Sequence, residues 1–120
     1  SYINEEFINE LSVIEPFGKD NSKPLFAVRD AKITRLYLIG KQKNIIKMQL
    51  EEKGYTLTAV MFKNTEDFFE CVEAKYGEEI TNNLKMGMST DIKVSFIFYP
   101  SINEYNGNKY LQIIVEDYIV

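Results

Sequence analysis

The chain has no histidine, no tryptophan and a single cysteine, Cys71, among its 120 residues. Without histidine it offers no Ser–His–Asp triad, no Cys–His nucleophile and no structural zinc cluster, so most familiar catalytic constellations are excluded. Cys71 falls inside a helical pattern beside Val72 and reads as a small, half-buried hydrophobe rather than a reactive thiol. Long apolar runs are missing as well. Stretches such as Phe96-Ile97-Phe98-Tyr99 fall far short of the roughly 20 residues that cross a bilayer, and nothing at Ser1 resembles a secretory signal. We therefore expect a cytoplasmic protein with no membrane partner. No initiator Met precedes Ser1, which lies against a helical pattern, so we also expect a piece of something longer.

What is present is an ordinary globular balance, 45% hydrophobic and 27% charged, enough for one small domain with a modest core. The formal net charge of −4 argues against a protein built to coat nucleic acid. Its distribution says more. Between Lys23 and Lys63 stand nine basic residues against three acidic ones, a local excess of +6, which leaves −10 for the remainder. A basic middle between acidic flanks is compatible with one positive face.

Residues 3–14 place Phe7, Ile8, Leu11 and Ile14 on one stripe, the spacing of an amphipathic helix. The segment Glu15-Pro16-Phe17-Gly18 ends it: Pro16 lacks a donor, Gly18 tolerates positive φ, and Pro24 biases Ser22-Lys23 toward extended backbone. Strands are then expected at 25–39, 45–51 and 55–62, with turns at Gly40–Asn44 and Lys53-Gly54. A helix follows over about 66–84, capped near Asn64 or Thr65, carrying Phe68, Phe69 and Val72 on its core stripe and open to a break near Gly77. Strands at 91–99, stopped by Pro100, and at 109–119 complete the chain. Three strands, a helix and two strands is the element order of the oligonucleotide-binding (OB) fold, a five-stranded, partly open barrel. The same pattern also builds a small α+β sheet with one helix on its face. Residues 1–22 read as the N-terminal helix and a Pro/Gly connection from a preceding domain, and 23–120 as the OB domain.

Two motifs carry a family resemblance. Glu15-Pro16-Phe17-Gly18-Lys19-Asp20-Asn21-Ser22-Lys23-Pro24-Leu25-Phe26 resembles the entry into the C-terminal OB domain of RecJ-type single-stranded-DNA exonucleases. Ile102-Asn103-Glu104-Tyr105-Asn106-Gly107, Leu111-Gln112 and Glu116-Asp117 resemble the last hairpin of that domain, and Ile39-Gly40-Lys41 and Leu57–Phe62 look like its intervening segments. The resemblance implies a role in DNA recombination and repair, single-stranded DNA as partner, and catalysis in a separate core that holds divalent metal, Mn or Mg. That core is expected as a further partner, with room for a repair protein. This segment itself is expected to be non-catalytic and to carry no metal.

An OB barrel binds single strands across its second and third strands and the loops after the first and fourth. Phosphates call for cations and splayed bases for flat π-faces. The candidates are Lys41, Lys43 and Asn44 in the first loop, Lys47 on the second strand, Tyr55 and Lys63 at the two ends of the third, and Tyr105, Lys109 and Tyr110 in the last hairpin. Asn106-Gly107 reads as a turn, and Glu116-Asp117 as strand neighbours pointing to opposite faces, hence no metal pair. The alternative is a structural or interaction domain that packs on the exonuclease core or recruits a protein without touching DNA, with Phe7, Leu11 or Phe17 in the contact.

Overall fold

The computed structural model describes residues 24–120 and the backbone of Ser12–Ile14. In order, the elements are β1 (Ser12–Ile14), β2 (Leu25–Ile39), β3 (Ile45–Glu52), β4 (Tyr55–Met61), α1 (Thr65–Tyr76), α2 (Glu78–Lys85), β5 (Ile92–Tyr105) and β6 (Asn108–Ile119). The sheet runs β1-β2-β3-β4-β6-β5, and β5 returns to pair with β2. Five strands, β2 to β6, thus close an OB-like barrel, with the helices between its third and fourth strands.

Strand β2 serves both halves of that barrel because it bends twice. Its first part pairs with β5, from Phe26↔Phe98 to Ile33↔Ile92, and its second with β3, from Lys32↔Glu51 to Ile39↔Ile45. Register shifts fall between Val28 and Ala31 and between Ile33 and Arg35. At the first, Asp30 takes φ 53° and its N–H donates to the Ser95 Oγ at 3.0 Å. At the second, the Thr34 hydroxyl donates to the Gln49 carbonyl, while Thr90 donates its N–H to the Thr34 carbonyl and its hydroxyl to that of Ile33. Bulges of this kind bend and coil a strand, which lets one long strand turn the corner of a small barrel.

Alternation supplies the core. Ile46, Met48 and Leu50 of β3, Leu57, Ala59 and Met61 of β4, Val94, Phe96 and Phe98 of β5, and Ile113 and Val115 of β6 point inward and are buried. The first helix closes one end with Phe68, Phe69 and Val72, and the second adds Leu84. Gly77 separates the two helices at φ 95°, ψ 166°, a region open essentially to glycine. Two tyrosines lash the first helix to the barrel. The Tyr76 hydroxyl donates to the Lys93 carbonyl at 3.1 Å and accepts from the Lys93 N–H. Tyr118 lays its ring edge-on against Phe68, centroids 5.2 Å apart, and donates its hydroxyl to the Asp67 carboxylate. Burial first, then that hydrogen bond and the charge of Asp67, push the Tyr118 phenol well above its ordinary 10.0.

Two expectations need correction. Ser12–Ile14, placed at the end of a helix by periodicity, are extended and pair with Leu25–Ala27 of β2; three residues beside an open strand edge gain ladder hydrogen bonds there. The rest of the expected helix, and the Pro16–Gly18 connection, lie outside the described residues. The fourth barrel strand does not stop at Pro100 but continues to Tyr105. Beyond Phe98 its pairing with β2 has ended and only β6 lies beside it, so Pro100 occupies an edge where its missing donor leaves no ladder bond unmade. The break expected near Gly77 is there, and it divides the helical region into two helices.

Candidate nucleic-acid interface

Outward-facing residues of β2, β3 and β4 form a single polar face. Cross-strand neighbours share a face, so Tyr37↔Lys47↔Val60 make one row and Arg35↔Gln49↔Thr58 the next. With Lys32, one pair further along against Glu51, three cations stand on this surface. Tyr37, 39% exposed in the row of Lys47, places a ring directly beside a cation. Sequence reading passed over it because it stands in the apolar run Leu36-Tyr37-Leu38-Ile39; the alternation of burial through that run is the signal that finds it.

The second wall comes from β5 and β6, which run past the barrel as a two-stranded arm. At its tip Asn106 and Gly107 have φ 51° and 78°, the two positive values a type I′ turn needs. The register Ser101↔Gln112, Asn103↔Tyr110, Tyr105↔Asn108 sets Tyr105, Asn103, Tyr110 and Gln112 on one face of the arm. That face turns over the outer surface of β3 and β4. Together with Leu111 they enclose, against Lys47 and Thr58, a groove of about 410 Å³. Tyr105 and Tyr110 are 66% and 52% exposed. Among the described residues, no hydrogen bond or ion pair occupies the side chains of Lys47, Thr58, Asn103, Tyr105, Tyr110 or Gln112.

The structure therefore brings Lys47, Tyr105 and Tyr110 together and leaves the other candidates elsewhere. Lys41, Lys43 and Asn44 are exposed in the Gly40–Asn44 turn, where the Lys43 N–H donates to the Gly40 carbonyl at 3.1 Å. Two strand pairs separate that turn from Lys47, roughly 10 Å along the same sheet. Lys109 faces the opposite side of the arm, across from Glu104. Tyr55 shares the inward parity of Leu57 and Ala59 and packs on the core. Lys63 holds Glu116 Oε2 at 3.3 Å. Asn103 and Gln112 stand in the last-hairpin motif and Thr58 in the third strand, but sequence named none of them as a site candidate, and it is the register that gathers them.

Two further titratable groups lie away from the groove. Desolvation, then Asp67, pushes the Cys71 thiol up, and its Sγ donates to Asp67 Oδ2 at 3.9 Å. Glu52 is raised chiefly by burial. Among the described residues no three His, Cys, Asp or Glu side chains converge as a metal site would require. No described helix is long and apolar enough to cross a membrane.

Comparison with known proteins agrees with this architecture. Single-stranded-DNA-specific exonuclease RecJ of Bacillus subtilis (strain 168) is 29% identical over 115 residues, which cover 96% of this chain and 12% of that relative. The chain thus spans a small part of the relative's length. The family model described as the RecJ OB domain matches residues 1–117, and with a closed five-stranded barrel carrying its helices after the third strand, the chain belongs to the RecJ OB domain family.

Proposed function

We propose that this domain is a non-catalytic module that grips single-stranded DNA for a RecJ-like exonuclease acting in recombination and repair. The carrying observation is the groove between β3–β4 and the β5–β6 arm, which sets a cation, Lys47, opposite two exposed rings, Tyr105 and Tyr110. A cation for the phosphate and π-faces for successive bases are the two elements of sequence-tolerant single-strand binding. Lys41 and Lys43, further along the same sheet, extend the path for the backbone. The chain has no histidine and its described carboxylates do not cluster, so its residues do not fit a two-metal site and no hydrolytic step is assigned to it. Bond cleavage and the divalent metal belong to a core outside this segment, with which the domain associates.

The test is fluorescence anisotropy of a labelled single-stranded oligonucleotide at low and near-physiological salt, with a duplex of the same sequence as control. Salt-sensitive preference for the single strand is the expected result; no binding at low salt overturns the reading. In that event the interaction reading stands in its place. Met86, Ile102 and Ile119, which are 74%, 67% and 73% exposed, favour it as apolar contacts for a protein surface. Phe7, Leu11 and Phe17, named for that role from sequence, lie outside the described residues.

A further inference from the structure

We infer that the groove is a base-reading pocket with a preference for adenine, in which Asn103 and Gln112 contact the edge of a base stacked on Tyr105 or Tyr110. The inference rests on the single-strand reading and adds selectivity to it.

The arm carries its aromatic and amide side chains as a checkerboard. Asn103 and Tyr105 alternate along β5 and Tyr110 and Gln112 along β6, with Asn103 directly opposite Tyr110. Same-face neighbours along a strand are roughly 7 Å apart, so a base lying on either ring meets an amide at its edge. A purely sequence-tolerant platform needs rings and cations, not amides. Here both amides line the groove, and neither is engaged by another described side chain, so each presents a free donor and a free acceptor. An amide that accepts from N6–H and donates to N7 matches adenine, whose larger ring system also stacks on tyrosine over more area than a pyrimidine does. Thr58 on the opposite wall offers a hydroxyl to the same edge, and Lys47 beside it is placed for the flanking phosphate.

The experiment compares the affinity of the chain for dT12 and for dT12 carrying one central dA, by anisotropy at one fixed salt concentration. The expected result is tighter binding of the adenine-containing strand by about fivefold, at the low end for an amide–base pair because the groove is open to water. The double variant N103A/Q112A is expected to lose most of that preference, keeping only what the larger purine ring gains by stacking. A second arm leaves the protein untouched: replacing the central adenine with 7-deazaadenine, which lacks the N7 acceptor, is expected to remove most of the preference. Equal affinity of the parent for dT12 and the dA strand, with binding intact, overturns the inference and leaves the single-strand reading standing. So does a preference that survives both N103A/Q112A and 7-deazaadenine undiminished. No binding of either strand overturns both readings together.

Discussion

Tyr105 and Tyr110 expose large rings on an arm where smaller polar residues would hydrate better, and in the proposed function they are the platforms on which bases stack. Replacing either with alanine is expected to weaken single-strand binding by about 1–3 kcal/mol, as for a base platform, while leaving the thermal midpoint nearly unchanged because neither ring enters the core. Lys47→Ala should lower the slope of log affinity against log salt by about 0.7, the value for one phosphate contact on a single strand. Lys109→Ala, on the far side of the arm, should leave that slope alone; equal effects of the two would place the strand on the wrong face. Tyr118 belongs to the frame instead. Its phenol is held protonated above its ordinary 10.0, so the stability it contributes is complete below that pH and is lost as pH rises through the elevated value. Tyr118→Phe is therefore expected to cost about 1 kcal/mol near neutrality and to flatten the fall in stability above pH 10, measured by urea denaturation at pH 8 and in steps above 10.

At the scale of elements, the strands that bury one face were legible from the sequence and the irregularities were not. Ile46, Met48 and Leu50 alternate with Lys47 and Gln49, and that period alone places β3 and sends Lys47 outward. The bulges of β2 leave no such trace, since Asp30 and Thr34 read as ordinary polar positions until Ser95, Thr90 and Gln49 are folded against them. Pro100 misled because a proline ends a strand only when both its edges are needed, and the loss of β2 as a neighbour is a tertiary fact. Lys109 was grouped with Tyr105 by nearness in sequence, whereas pairing with Glu104 assigns it to the other face. Gly77 was readable as a break, and its backbone explains why. No atom lies within 4 Å of where a Cβ would stand, so Gly77→Ala meets no clash and any cost is conformational. A loss of about 1–3 kcal/mol on chemical denaturation is expected, with the fold retained.

For the whole molecule, a formal charge of −4 coexists with a cationic face because Lys32, Arg35 and Lys47 gather on one side of β2–β3. The proposed association with a polyanion is then expected to depend on orientation, and salt is expected to act at that face rather than through the net charge. The barrel itself closes through a short parallel contact, Ala59↔Ile113 and Val60↔Ile114, between strands whose intervening chain holds both helices and all of β5. No hairpin can supply that seam by itself. Its formation must await the collapse of nearly half the chain, so the local pairings β2–β3, β3–β4 and β5–β6 should form early and the seam late. Refolding is expected on the millisecond-to-second scale of non-local β-proteins, and substitutions along Val60 and Ile114 should speed unfolding far more than they slow folding.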